Sequence, residues 1–308
     1  MFEISVIICA HNPRQEFLER TLNALKEQSL EYEKWHLILV DNASDSDLSL
    51  SFDLSWHPNA KHIKEEKIGL THARLKGIEN AEGKLCVFVD DDNVLDSKYL
   101  EKTIQLALEF PRIGAFGGVS KGDFEIPPPQ WMKPHLSWLA VRDVTRDVWS
   151  NSYIWETTPS GAGMVVRAEI AQKYAVNTKD NPVKQLLGRS GNNTISGEDG
   201  DIAYTSIDMG FGCGRFKKLS LVHIIPKQRL KEEYLIKLHE GIVTSKIILD
   251  FSRNPNYLLP KHNAIKQLVR KAYNFFFESA INNKIAKAKL RGIRNAKKII
   301  YEISGNSL

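Results

Sequence analysis

Cysteine is scarce: Cys9, Cys86 and Cys213 are the three in a chain of 308 residues. An odd number, with the first two inside apolar runs, argues against a disulfide framework or a thiolate zinc cluster and matches buried thiols kept reduced. Long hydrophobic runs are also missing, and none approaches the roughly 20 apolar residues that a membrane-spanning helix needs. The opening residues lack the basic, apolar and small-residue stretches of a secretory signal; Ile4 to Cys9 enter a strand at once. A cytoplasmic location is the expectation. No glycine-rich, lysine-bearing phosphate loop follows the first strand, where Ala10-His11-Asn12-Pro13 stand instead, which disfavours a P-loop protein or a magnesium-dependent nucleotidyltransferase.

The length gives room for one large α/β domain and a smaller appendage. The net charge of +5 is unevenly spread. Residues 226–308 hold 17 Lys and Arg against 6 Asp and Glu, net +11, and the rest of the chain is net −6. Such a tail suits an anionic surface, either membrane or polyphosphate, and equally a solvated helical face.

The stretch Leu85-Cys86-Val87-Phe88-Val89 reads as a buried parallel strand, and Asp90-Asp91-Asp92 arrive together at its end. Ligands of open α/β sheets bind outside the C-terminal strand edges, so these carboxylates lie where chemistry is expected. Three adjacent negative charges need something positive, and hard oxygen ligands favour Mg²⁺ or Mn²⁺ bridging to a substrate diphosphate. A solvated acidic turn leading into a helix capped by Asp96 or Ser97 is the plainer alternative.

Upstream, Ile4–Ala10 is a β-branched strand, Gln15–Ser29 an amphipathic helix and Trp35–Val40 a second strand ending in Asp41-Asn42. This βαβ unit opens onto the same edge as Asp90. An edge strand near His62–Lys64, a helix from Gly69 and further helix and strand at Ser97–Phe110 and Ile113–Val119 continue a mostly parallel sheet with helices on both faces. Residues 121–160 carry Trp131, Trp138, Trp149 and Trp155 without a sustained period, which suits a functional loop more than disorder. Gly161-Ala162-Gly163 permits close backbone approach, and Met164–Val166 returns to a strand. Residues 178–196 read as a mobile loop. Glu198-Asp199-Gly200-Asp201 then open the helix Ile202–Met209, where acidic residues also suit the helix dipole. Leu219–Ile225 is the last strand, and the chain beyond Pro226 reads as helical and basic. The expected division is a nucleotide-binding and catalytic unit over 1–226 and a basic helical region over 227–308.

Taken in order, these segments resemble a family 2 glycosyltransferase of the GT-A fold, of the bacterial polysaccharide-assembly type, over roughly residues 3–230. The resemblance rests on Ser5-Val6-Ile7-Ile8 with Asn12; on Val40-Asp41-Asn42-Ala43-Ser44, where the family usually has Asp-Asp-Gly-Ser; and on Gly69-Leu70-Thr71-His72-Ala73-Arg74 with Gly77, Ala81-Glu82-Gly83 and Val87-Phe88-Val89-Asp90-Asp91-Asp92, the run before an Asp-x-Asp motif. It implies that Asn12, Asp41, Arg74, Asp90, Asp91 and Arg229 contact a nucleotide-sugar donor, with Asp41 on the base and Asp90 near the ribose. Asp92 and Asp90, with His223, are implied as ligands of Mn²⁺ or Mg²⁺, and Asp199 as catalytic base with Glu198 in reserve. Asn42 and Leu75 depart from the usual acid and Asn.

The implied activity is inverting transfer of a sugar, from a uridine diphosphate donor by the family's habit, to a hydroxyl of a saccharide or lipid-linked acceptor. A cation at the diphosphate would stabilise the leaving group, and a carboxylate base would take the acceptor proton. A non-catalytic nucleotide-sugar-binding scaffold is the competing class, separated by turnover. The tail, with Tyr273 and Phe275–Phe277 among its basic residues, suggests peripheral contact with an anionic membrane. No module for specific nucleic-acid binding is present.

Overall fold

Strand side chains alternate between two faces, and in the central strands of this chain both faces are apolar. The computed structural model describes residues 2–191, 193–254, 256–260 and 280–304. Ile4–Ala10 (β1), Trp35–Asn42 (β2), Ala60–Glu65 (β3) and Leu85–Asp90 (β4) lie parallel in the order β3-β2-β1-β4. Val6, Ile8, Leu37, Leu39, Val87 and Val89 share one core with Leu18, Leu22 and Leu25 of helix Gln15–Lys26 (α1). Leu48 of the single turn Leu48–Ser51 (α2) joins that core. The alternate residues Ile7, Ile38, Val40, Cys86 and Phe88 share a second core with Ala73 and Ile78 of helix Leu70–Glu79 (α3). Each large side chain so buried contributes about 1.5–3 kcal/mol, so the strand alternation dictates which face each helix must cover.

Beyond β4 the sheet becomes mixed. Asn93–Leu95 (β5) follows the acidic turn, helix Tyr99–Glu109 (α4) covers the first core, and Ile113–Phe124 (β6) runs past the Val119 end expected from the sequence. Val148–Ser150 (β7) and Met164–Arg167 (β8) are short. The order continues β4-β8-β6-β9-β5, where β9 is Gly212–Ile225. β8 is antiparallel to β4 and β6, β6 is parallel to β9, and β5 and β7 are both antiparallel to β9. The last strand is therefore 14 residues long and begins well before Leu219.

Helices Ala168–Lys179 (α5), Pro182–Gln185 (α6) and Glu198–Asp208 (α7) occupy the region after β8. The expectation of a mobile loop over 178–196 is corrected here. Asn181 caps α6 through the N–H groups of Val183 and Lys184, Lys184 is buried against Asp201 at 2.9 Å, and Leu187 and Ile195 are core residues. The Leu70 N–H also donates to the Arg189 carbonyl at 2.8 Å, tying this stretch to the start of α3.

Two long helices close the described chain, Glu232–Arg253 (α8) and Ala280–Ser304 (α9). Ile247, Ile248 and Leu249 enter the second core with Ala296 and Ile300, while Leu235 and Leu238 form a third with Met132, Leu139, Ile225 and Leu230. Among the described residues no helix is long and apolar enough to cross a membrane. Tyr273 and Phe275–Phe277 lie outside the described residues.

Candidate active site

The parallel strands deliver their ends together: Cys9 pairs with Asp90, and Ala10 with Asp41. The two turns that follow β1 and β2 are latched to each other. The Asn12 N–H donates to Ser44 Oγ at 3.0 Å, its side-chain Nδ2 donates to Asp45 at 3.1 Å, and its Oδ1 accepts from the Asp45 N–H at 2.8 Å. Asp41 is 5% exposed, and its two oxygens accept from the N–H groups of Ser44 and Leu48. Asn42 pins the start of α3, accepting from the Gly69 N–H at 2.8 Å and donating to the Lys67 carbonyl. Asp41 is thus engaged with its own turn and Asn12 with the neighbouring one, so both side chains are held in place before any ligand arrives.

At the end of β4, Asn93 braces the acidic turn. Its Oδ1 accepts from the Asp90 N–H at 3.2 Å and its Nδ2 donates to Asp92 Oδ1 at 3.0 Å. The β5–β9 register sets Asn93 opposite His223, bringing His223 Nε2 to 3.3 Å from Asp92 Oδ1. Arg229 Nη1 lies 3.1 Å from Asp92 Oδ2 and 3.3 Å from His223 Nε2. Burial works against the Asp92 charge, but His223, then Arg229 and Arg189, outweigh it and hold the carboxyl down at about 2. Asp91 goes the other way: burial, with the charges of Asp92 and Asp90, pushes it up to about 8.

Among the described residues no group of three acidic, His or Cys side chains converges as a ready-made metal cage. Asp92 Oδ1 and His223 Nε2 nevertheless stand 3.3 Å apart, with Arg229 Nη1 beside Asp92 Oδ2 and His223 Nε2, so a cation held by the first two atoms would need diphosphate oxygens between it and that guanidinium. That pair fits a Mg²⁺- or Mn²⁺-type ion whose remaining ligands are water and substrate phosphate, the usual way a protein holds such an ion.

Across the site, Arg74 bridges the acidic turn to α7. It is 3% exposed, with Nη2 3.5 Å from Asp90 Oδ1 and Nη1 3.6 Å from Glu198 Oε2. Burial opposes its charge, yet Glu198 and Asp90 more than restore it. Glu198 lies beneath the site, 2% exposed, accepting from the Tyr174 hydroxyl at 3.4 Å; burial pushes its carboxyl up to about 7 although Arg74 pulls back. Asp199 is only partly buried and accepts from the N–H groups of Gly161 at 3.2 Å and Gly200 at 2.9 Å. A Cβ at Gly161 would lie 2.8 Å from an Arg74 nitrogen, so this backbone needs glycine to pass. Asp201, in the same helical turn, turns inward to Lys184 and Arg253 and belongs to the scaffold.

The structure thus gathers Asp90, Arg74, Glu198 and Asp199 on one side and Asp92, His223 and Arg229 on the other, joined through the acidic turn. Sequence reading did not single out Asn93, Arg189, Arg142 or Arg215. Asn93 directly follows three acids and was readable as part of their turn; the arginines lie on distant segments and carry no motif.

This chain belongs to glycosyl transferase family 2, whose model matches residues 5–174. A glucosyl-dolichyl phosphate glucuronosyltransferase of Haloferax volcanii is 23% identical over 144 residues, 46% of this chain and 45% of that protein. TuaG, a Bacillus subtilis glycosyltransferase placed in teichuronic acid biosynthesis, is 29% identical over 120 residues, 38% of this chain and 46% of that one. The chain therefore spans less than half the length of these curated relatives. Among solved structures, the mannosyltransferase PcManGT of Pyrobaculum calidifontis, in complex with GDP-Man and Mn²⁺, superposes with a TM-score of 0.56 at 18% identity, covering 98% of this chain and 79% of that one. That likeness shows the GT-A glycosyltransferase fold, a mixed and mostly parallel sheet with helices.

Proposed function

We propose that this chain is an inverting glycosyltransferase that moves a sugar from a nucleoside diphosphate to a hydroxyl of a saccharide or lipid-linked acceptor in surface polysaccharide assembly. The observation that carries the proposal is the Arg74 bridge, which ties the Asp90 carboxylate of the acidic turn to the start of α7, where Asp199 stands at the opening. Family membership and the relatives' names support the reaction class.

In this reading the donor diphosphate lies along the acidic turn, with Asp90 toward the ribose and Asp41 and Asn12 shaping the base-side wall. Asp92 and His223 would hold Mn²⁺ or Mg²⁺, which when bound stabilises negative charge on the leaving diphosphate. Arg229 adds fixed positive charge beside the same oxygens. Asp199 accepts the proton of the acceptor hydroxyl as that oxygen attacks the anomeric carbon from the face opposite the leaving group, and one direct displacement inverts the configuration. Glu198 lies buried against Arg74 beneath the opening, so in this reading it holds Arg74 in place and stays the reserve base behind Asp199. A uridine diphosphate sugar is favoured by the family's habit; GDP-Man in the solved PcManGT makes guanosine the comparison to run beside it.

The test is calorimetric titration with uridine and guanosine diphosphates, with Mn²⁺ and with chelator, followed by transfer assays. Asp199→Asn is expected to keep nucleotide binding and to lose transfer by roughly 10²–10⁴-fold, the usual worth of a general base. Asp92→Ala is expected to weaken metal-dependent nucleotide binding instead. Wild-type transfer by Asp199→Asn would remove that residue as the base, and failure of both nucleotides to bind would remove the donor site.

A further inference from the structure

The arginines around the site fall into two sets. Arg74 acts on Asp90, and Arg229 and Arg189 on Asp92, all at the acidic turn. The Asp199 charge reaches Arg74, Arg142 and Arg215, and of these three only Arg142 and Arg215 make no ion pair with the acidic turn. Both sit on the stretch that leads to Asp199: Arg215 holds the Thr158 carbonyl and Arg142 lies on the Trp155 ring, just before Gly161, whose N–H reaches Asp199.

Their surroundings differ in a telling way. Arg215 spends its donors on the main chain, with Nε on the Thr158 carbonyl at 2.7 Å and Nη2 on the Trp155 carbonyl at 2.8 Å. It thereby fixes the loop that ends at Gly161, whose N–H reaches Asp199. Arg142 is held by its backbone, paired in both directions with Ser120 at 2.9 Å. Its side chain lies against the Trp155 ring, 5.3 Å from guanidinium carbon to centroid. The Arg142 Nε is buried without a hydrogen-bond partner, and among the described residues the side chain has no ion pair. Arginine stays charged at any ordinary pH, so a half-buried guanidinium whose Nε has no partner is better satisfied once an anion arrives. The Trp155 ring beside it is 49% exposed, which leaves an aromatic face for a sugar ring.

We propose that Arg142, with the exposed ring of Trp155, forms an acceptor subsite that selects a saccharide carrying an oxyanion, a carboxylate or a phosphate, close to the hydroxyl that Asp199 deprotonates. Arg215 is the positioning residue, holding the loop that aligns Trp155 with Asp199. The inference rests on the glycosyltransferase reading above and narrows its acceptor to an acidic one.

The test uses the full chain saturated with the nucleoside diphosphate it binds and Mn²⁺. Saturation-transfer NMR titrations compare methyl glucoside, methyl glucuronide and glucose 6-phosphate, with the corresponding galactose series. At least one charged sugar is expected to bind roughly tenfold or more tighter than its neutral parent, the scale of a charged hydrogen bond. The carboxylate and phosphate arms identify which anion is preferred. Arg142→Gln is expected to abolish the preference with nucleotide affinity unchanged. Should that variant lose nucleotide binding through misfolding, Arg142→Lys takes its place; it keeps the charge without the planar fork and is expected to cut the preference severalfold. Equal or absent binding of the charged sugars, or a preference that survives the substitution, overturns the subsite. Nucleotide binding in the same wild-type samples separates the cases: its loss sinks the donor reading, while its presence without a charge preference sinks only this inference.

Discussion

Ala43 has φ 52°, in the left-handed region, at the position where the resembling family usually carries glycine. An L side chain there costs about 1–2 kcal/mol, while glycine's extra freedom in the unfolded chain costs about 0.4–1 kcal/mol. Relief outweighs entropy, so Ala43→Gly is expected to raise stability by about 0.5–1 kcal/mol in urea unfolding; a loss would mean that the Ala43 methyl packs usefully. His57 gives the pH dependence at this scale. It is 3% exposed, its Nδ1 accepts from the Asn59 N–H at 3.1 Å, and its ring packs 4.1 Å from Trp35. Burial, reinforced by the charge of His36, lowers it from 6.5 to about 4. Between those values the unfolded chain binds the proton and the folded chain does not, so the contribution is complete above pH 6.5 and is lost as pH falls toward 4. From pH 7 to pH 5 the loss amounts to about 2 kcal/mol. Urea titrations at both pH values are expected to show that extra loss in wild type and not in His57→Asn; equal losses would clear His57 of acid sensitivity.

At the scale of elements, α8 sits against the segment after α6 at a point with no spare room. A Cβ at Gly241 would stand 2.3 Å from the Thr194 carbonyl oxygen and 2.6 Å from its carbon. Helix propensity alone favours Gly241→Ala by about 1 kcal/mol, but overpacking against backbone costs about 1–3 kcal/mol. The expected outcome is a net loss of up to about 2 kcal/mol in urea unfolding; a gain would show that the contact yields. Elements whose burial is two-sided were legible in the sequence: β1, β2 and β4 are runs of apolar residues with little else, as their double covering requires. β5 was hidden by its three-residue length. The first half of β9 contains Gly212, Gly214, Lys217 and Lys218, which resemble a turn, and only its pairing with β6 and β7 makes it a strand. α5 carries a readable stripe in Ile170, Ala171, Tyr174 and Thr178, between the expected strand Met164–Val166 and the expected loop from 178, where the sequence reading assigned no element. In the site, the acids announced themselves by type and order, whereas Arg142 and Arg215 matter through burial and company, which no local pattern encodes.

For the whole molecule, α8 and α9, the described helices of the basic region beyond Pro226, are bound into the body. Leu235, Leu238, Ile247, Ile248 and Leu249 are buried in cores shared with residues from the sheet. A chain cut after Pro226 is expected to lose cooperative thermal unfolding and soluble yield; a well-behaved fragment would show that those cores are dispensable. We propose that the outer face of α9 contacts an anionic membrane, and charge reversal is its proper probe. Lys284 and Arg291 pair with Glu232 and Glu240 of α8, whereas Lys287 and Arg294 are exposed and have no ion pair among the described residues. Each is expected to contribute about 1 kcal/mol to binding anionic vesicles. Flotation of Lys287→Glu/Arg294→Glu equal to wild type would sink that contact. One consequence of the long final strand concerns time. Asp92 is synthesised 137 residues ahead of Arg229, and β5 has no partner until β9 exists. At about 5–20 residues per second, the acidic turn waits roughly 7 to 27 seconds on the ribosome before its counter-charges emerge. The acidic turn is thus among the last parts of the sheet to be finished, and a ribosome stalled in that interval would present three carboxylates with no basic partner from β9 or beyond to hold them.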